Sequence, residues 1–274
     1  MKIESRCLLI SKENPFLTKE WQNAWYKHFG RGRKLYEFQI ENEYLPIIKK
    51  MPLINIFCNG GTNFANKIET ENAGFFVDRI QSSIKRGVLA LYDVPEDGTL
   101  AAELSRRNAY RIRSYQAARS KFSDSFESFK SHQFNSKRRN NLRSYENRLG
   151  KVGSLEFKVH RSEETFSAAE IETFFEIWRE RFLQKKIRNR YLNSAGEGFV
   201  KDIMSNMKNV GILITEMKLD QLAISFNILF EYNDEVILSF TTFDAAFRKF
   251  SLGNTAIYRT AEFVHNCGYN VFDF

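Results

Sequence analysis

The chain has 274 residues, with 41 Lys and Arg against 33 Asp and Glu, a formal charge of +8. That length fits one large domain or two compact ones, and a composition that is 43% hydrophobic and 15% aromatic excludes disorder of the whole chain. No apolar run approaches the roughly 20 residues of a membrane span, and Met1-Lys2-Ile3-Glu4-Ser5-Arg6 lacks a signal peptide's apolar stretch, so the expected location is cytoplasmic.

Short apolar runs alternate with helical patterns, which predicts a mixed α/β (α+β) architecture. The first series has strands over 7–10, 54–58, 88–92 and 110–115, a hairpin-like stretch over 34–49, and helices over 18–28, 76–85 and 100–107. Trp21 and Trp25 stand i, i+4 on one helix face.

After Ser123 the character changes, and the domain boundary is drawn there, giving residues 1–122 and 123–274. One long basic helix is expected over 125–149, then a strand over 155–159. Ile171, Phe174, Phe175, Trp178 and Phe182 form a single apolar stripe on the next helix, opened by Ser167 and Glu170 in the pattern of a capping box. From Gly211 a β-meander follows: a strand over 212–217, a turn at 219–221, strict alternation over 222–230, a turn at 232–234, and a third strand in which Val236, Leu238, Phe240 and Thr242 alternate.

Cys7, Cys58 and Cys267 are odd in number and scattered, which fits neither a disulfide framework nor a zinc site. His28, His132, His160 and His265 show no metal-ligand spacing, so no metal is expected.

The third meander strand runs into Phe243-Asp244-Ala245-Ala246-Phe247-Arg248-Lys249-Phe250-Ser251-Leu252-Gly253-Asn254-Thr255, and then a helix whose Ile257, Ala261 and Val264 share a face. A small-residue basic loop between strand and helix suits an anion. First-turn N–H groups point outward, the macrodipole adds partial positive charge, Ser251 and Gly253 let backbone approach, and Arg248 and Lys249 add charge. Asn254 or Thr255 is the expected helix N-cap.

Arg248-x-x-Ser251-x-Gly253 resembles the Gln/Arg-x-x-Gly-x-Gly/Ala loop of the GCN5-related N-acetyltransferase (GNAT) superfamily. The wider frame, Phe243-Asp244, Phe247-Arg248, Glu262-Phe263, Gly268-Tyr269 and Phe272-Asp273-Phe274, is similar to the CelD-like acetyltransferases of exopolysaccharide and cellulose synthesis, which belong with the FemAB-type transferases. Phe126-x-x-Phe129, Ser136-Lys137-Arg138-Arg139-Asn140-Asn141-Leu142-Arg143, Trp178-x-x-Arg181-Phe182 and, more loosely, Pro15-Phe16-Leu17-x-x-x-Trp21 extend it over most of the chain. Departures are Ser251 for the first loop glycine, Ala245 where many members have proline, and an end at Phe274 where members continue.

The resemblance implies two GNAT-like halves, the second carrying the acyl-CoA loop and expected to be truncated. It implies acyl-CoA, most simply acetyl-CoA, as cosubstrate, with pyrophosphate on Arg248, Lys249, Ser251, Leu252, Gly253, Asn254 and Thr255. Pantetheine would lie along main chain near Thr241 and Phe243. An amine or hydroxyl of a sugar or cell-envelope precursor would attack the thioester directly, with Asp244 or Glu216 as candidate base. Both carboxylates also read as ordinary turn or strand residues. Alternatives are a FemAB-type aminoacyl-tRNA-dependent transferase and a catalytically silent scaffold. Residues 137–151 carry six basic side chains against Glu146, and 179–190 six against Glu180. Such runs read as a solvated helix face or as a surface for an anionic partner, with nucleic acid disfavoured because no stacking aromatics accompany them.

Overall fold

Asn14 and Thr18 set the first turns. In the computed structural model, which describes residues 14–30, 32–57, 68–114, 116, 118–161, 166–185, 192–206 and 211–273, the Asn14 side chain accepts from the Phe16 N–H to cap a 3-10 turn over Pro15–Leu17. Thr18 does the same for the Trp21 N–H and opens α1 (Lys19–Trp25), which runs on as a π-helical turn over Tyr26–Gly30. The strand expected over 7–10, together with Cys7 and Cys58, lies outside the described residues.

The described residues pack into two units, one drawn from 12–116 and 198–207, the other from 117–197 and 208–274. In the first, Trp21 and Trp25 are buried as their spacing predicts, and Phe16 and Phe199 meet the Trp21 ring edge-on at 5.1 Å. The hairpin-like stretch is β1 (Leu35–Tyr36), β2 (Gln39–Ile40), β3 (Glu43–Tyr44) and β4 (Ile47–Met51). β2 and β3 form a ribbon of their own. β1 and β4 join β5 (Ile54–Phe57) and β6 (Val88–Ala90) in a sheet of order β1-β4-β5-β6, with β6 parallel to β5. α2 (Ala73–Ser83) and α3 (Thr99–Arg106) supply Phe76, Ile80 and Leu100 to its core. The strand expected over 110–115 does not form in residues 110–114: Tyr110 and Ile112 are 95% and 90% exposed, so their alternation with arginines finds no face to bury against.

The second unit starts with β7 (Arg119–Lys121). The long helix expected over 125–149 is two helices, α4 (Phe126–Gln133) and α5 (Ser136–Gly150). Phe134 turns extended and the Asn135 side chain takes the Arg138 N–H, a cap that outcompetes continued helix. β8 (Leu155–Arg161) leads to α6 (Ala168–Lys185), whose capping box is complete, with Ser167 N donating to Glu170 at 2.9 Å and Glu170 N to Ser167 Oγ at 3.2 Å. α7 (Ser194–Asn206), whose residues from 198 onward belong to the first unit, has no counterpart in the sequence reading.

The meander is β9 (Ile212–Leu219), β10 (Leu222–Tyr232) and β11 (Glu235–Phe243). Asp220 and Gln221, both at positive φ, make the tight turn between β9 and β10. α8 (Leu252–Asn266) and β12 (Val271–Asp273) complete a sheet of order β7-β12-β11-β10-β9-β8. α4, α5 and α8 cover one face, where Phe129, Leu149, Leu213, Leu229, Leu252 and Val264 share a core. α6 covers the other, with Phe174 against Phe226 and Trp178 against Phe240. Because both faces are covered, β10 is buried along nearly its whole length rather than on alternate residues.

Two irregularities break the alternation read from the sequence. Ser239 is left without a partner because Ile228 pairs Phe240 while Leu229 pairs Leu238. Val236 and Leu238 therefore join the α8-side core, whereas Phe240 packs on Trp178 of α6. A similar shift between Ala223 and Ser225 puts Ile224 in the α8-side core and Phe226 on the α6 side.

At the centre of the α8-side interface, Asn227 Nδ2 donates to Thr215 Oγ1 at 3.1 Å and to Thr260 Oγ1 at 3.0 Å, and the two hydroxyls are 2.7 Å apart. All three side chains are buried. Either Thr→Val change leaves the amide one acceptor, and both leave none. Thr215→Val and Thr260→Val combined are expected to lose about 1–2 kcal/mol beyond the sum of the single losses, measured by urea unfolding of the four-member cycle.

Candidate functional site

The C-terminal end of β11 leads into the loop before α8. β12 runs parallel to β11 and pairs residues 235–237, and β11 runs on through 238–243. In this stretch the buried hydroxyls of Ser239, Thr241 and Thr242 receive no hydrogen bond from protein groups. Arg181 reaches in from α6, donates to the Thr241 carbonyl at 2.5 Å and lies over the Phe243 ring, 4.3 Å from its centre, while its Nε is buried without a partner. Buried polar groups left unpaired by their own protein are uncommon, and here they cluster.

Asp244 turns the chain out of β11. Its carboxylate accepts the Ala246 N–H at 2.8 Å and caps a 3-10 helix over Ala245–Phe250, on which Arg248 and Lys249 are exposed. Ser251 then adopts the left-handed conformation, φ 51° and ψ 38°, and α8 starts at the next residue. The N-cap is thus Ser251, not Asn254 or Thr255. A single left-handed residue both ends the 3-10 turn and begins the helix, which moves the start three residues earlier than polar composition suggests. Asn254 instead donates from Nδ2 to Ser251 Oγ at 2.9 Å, and Thr255 Oγ1 donates to the Ser251 carbonyl at 3.4 Å. Ser251 makes no side-chain cap, so the first-turn N–H groups of Leu252, Gly253 and Asn254 stay directed at whatever anion approaches. Leu252 itself is buried in the core.

Gly253 has a packing reason of its own: a Cβ there would lie 2.7 Å from Cε1 and 2.9 Å from Cδ1 of Phe243. The ring that carries Arg181 on its face therefore also rests on the first turn of α8. Beside that turn, on the α5 side, a cleft of about 270 Å³ is lined by residues including Arg138, Asn141, Tyr145, Ser251, Asn254 and Tyr258.

Glu216 sits away from the end of β11. It is 1% exposed on β9, two strands from β11, with His160 Nε2 donating to it at 2.9 Å and Lys218 Nζ 3.5 Å away. Glu170 of α6 joins the pair, so that His160, Glu170 and Glu216 offer ligand atoms within 4.8 Å of one another. Burial pushes the Glu170 carboxyl up, but the Ser167 N–H and hydroxyl, helped by the charges of His160 and Lys158, hold it below its usual value. Among the described residues these three are the ones that could hold a metal ion, yet Lys158, 3.7 Å from Glu170, and Lys218 already balance both carboxylates. Sequence spacing could not have found this group, because it is drawn from β8, α6 and β9.

The basic runs divide by partner. Arg179 is bound by Glu172 and Glu197 at 2.9 and 2.6 Å, which raises its pKa, and belongs to structure. Arg139 donates to the carbonyls of Phe134 and Ser131 at the end of α4, and Arg148 lies over Phe250. Of the described members of 179–190, Arg181 and Lys185 are left without a carboxylate, and residues 186–190 lie outside the described residues.

Ser251→Gly is expected to raise unfolding free energy by about 0.5 kcal/mol, the left-handed cost of roughly 1–2 kcal/mol being partly offset by glycine's freer unfolded chain. Gly253→Ala is expected to lower it by about 1–3 kcal/mol through the clash with Phe243. Thermal unfolding of the two variants checks both signs.

Residues 136–274 match the family model described as acetyltransferase (GNAT) domain. No curated protein matches the sequence. Among solved structures, FemX has a TM-score of 0.64 at 12% identity, covering 97% of this chain and 84% of its own. L-PGS from Bacillus licheniformis has a TM-score of 0.60 at 15% identity, covering 96% and 77%. A conserved protein of unknown function from Bacteroides thetaiotaomicron has 0.58 at 10% identity, covering 97% and 83%. These likenesses show the fold, and the matched segment holds β11, the uncapped start of α8 and the loop between them. The chain belongs to the acetyltransferase (GNAT) domain family and is a transferase built for acyl transfer.

Proposed function

We propose that the chain moves an acyl group from acyl-CoA, most simply acetyl-CoA, to an amine or hydroxyl of a sugar or other cell-envelope precursor. The observation that carries this reading is the start of α8, which has no side-chain cap and directly follows the exposed Lys249 of the basic 3-10 turn. The main chain of β11 before the loop suits the amides of pantetheine, which can lie along it as a further strand, and the first-turn N–H groups of α8 with Lys249 suit a pyrophosphate. With the thioester held against residues 238–243, the acceptor's nitrogen or oxygen bonds to the carbonyl carbon, the C–S bond breaks, and the nucleophile's proton passes to a base. The protein's part is position, a donor for the carbonyl oxygen, and that base.

Asp244 is the better placed of the two candidate carboxylates. It is half-buried and directly follows β11, whereas Glu216 is enclosed by His160 and Lys218. Asp244 also caps the 3-10 helix, so the variant must keep the cap. Asn caps as well as Asp, and Asp244→Asn is expected to leave stability within about 0.5 kcal/mol while lowering kcat by roughly 10²-fold or more. Asp244→Ala loses both.

The donor is tested by calorimetric titration with acetyl-CoA. Asn254→Asp places a negative charge in the exposed first turn of α8, which favours the helix but opposes a pyrophosphate. Saturable binding in the parent, weakened at least tenfold in a variant at least as stable, is the expected result. Absence of binding to the folded parent removes the acyl-CoA reading.

A second reading, a FemAB-type transferase with aminoacyl-tRNA as donor, is favoured by one observation: Arg181 already occupies the Thr241 carbonyl that a pantetheine amide would use. Protection by aminoacyl-tRNA but not by acetyl-CoA, with a steep salt dependence, is its signature.

A further inference from the structure

We propose that Arg181, Lys185 and Arg248 form a second anion site, beside the C-terminal end of β11 on the α6 side, which takes a phosphate group of the acceptor. The proposal rests on the acyl-transfer reading for the word acceptor, and on the residues alone for the anion.

Arg181 and Lys185 are one helical turn apart and share a face of α6. The 3-10 helix carrying Arg248 packs against α6. Three cations thus converge, and among the described residues none of them is paired with a carboxylate, whereas their neighbour Arg179 is held by two. The chain bears the cost of this arrangement. Burial pushes the Arg181 guanidinium down from its usual value, and the Lys185 ammonium is pushed down first by the charge of Arg181, then by burial and by Arg248. Like charges gathered without a counter-ion raise the energy of the free protein, and an anion entering among them lowers it.

The chemistry of the groups selects phosphate over a single carboxylate. Arg181 is oriented by its bond to Thr241 and its seat on Phe243, but its Nε has no partner. A guanidinium so fixed offers a planar fork, while Lys185 and Arg248, both exposed, can each take a further oxygen of a tetrahedral dianion. The site is also apart from the donor's anion position. Phe243 has Arg181 on its face and the first turn of α8 against its Cδ1–Cε1 bond, so a ring stands beside both and keeps the guanidinium off the helix amides. An acceptor phosphate held here leaves the rest of that molecule free to present its nucleophile along β11.

The test is calorimetric titration of the whole chain with inorganic pyrophosphate, first alone and then with coenzyme A at saturation. The expected result is that pyrophosphate still binds when coenzyme A is present. Lys185→Gln, at an exposed position, should weaken that binding at least fivefold while leaving coenzyme A affinity within twofold, and Lys185→Arg should restore it. Arg181→Gln should weaken it further, with circular dichroism confirming the fold. Complete competition between pyrophosphate and coenzyme A, or equal loss of both in Lys185→Gln, puts these cations in the donor site and overturns the proposal. So does pyrophosphate binding that neither variant changes, or none in the parent. If coenzyme A does not bind but Lys185→Gln still removes pyrophosphate, the acyl-CoA reading fails and the anion site stands. Repeating the titration with a nucleoside diphosphate and with phosphatidylglycerol vesicles identifies the source, since the Lys185 dependence follows whichever phosphate the site accepts.

Discussion

The seat of the Arg181 guanidinium on the end of β11 ties the C-terminal unit together. β11 carries the chain into the loop before α8, and Arg181 of α6 donates to its Thr241 carbonyl and lies over the Phe243 ring. Buried polar groups are costly unless they find partners, and here the Arg181 Nε and the hydroxyls of Ser239, Thr241 and Thr242 receive none from the protein. The arrangement is held by the ordinary core around it: α8 packs one face through Leu252, Ala256 and Val264, and α6 the other through Phe174 and Trp178.

Phe243 couples the parts of this arrangement. Its ring requires a residue without Cβ at 253 and seats the guanidinium of residue 181. A loop glycine that sequence reading assigns to phosphate approach is therefore also a packing requirement, and the two roles do not compete: the close approach that admits a ring edge keeps the first turn of α8 bare. Ser251 shows the same economy. Its left-handed backbone ends one helix and starts the next without spending a side chain on the exposed amides.

Signals that act over a few residues are legible in the sequence. The capping box at Ser167 and Glu170, the tryptophan pair at 21 and 25, and the strand–loop–helix order through 243–255 all follow from spacing alone. What escaped was decided by competition or by distance. Asn135 looked like one more polar residue in a basic helix, but its side chain caps a new one. The exposed run at 110–114 has strand-like alternation and no sheet to join. His160, Glu170 and Glu216 meet only because β8, β9 and α6 are neighbours in space. The basic runs were visible as charge, but their division into structural Arg179 and unpaired Arg181 depends on where two glutamates fall.

The extra residue at Ser239 has a consequence for the stretch that leads to the loop. β11 keeps step with β10 by bulging, which adds local twist and exchanges the two faces for every later residue. Val236 and Leu238 face α8, but Phe240 faces α6 and Phe243 returns to the α8 side. One surplus residue thus acts as a parity switch: it decides that the ring at 243, and not its neighbour, meets the first turn of α8.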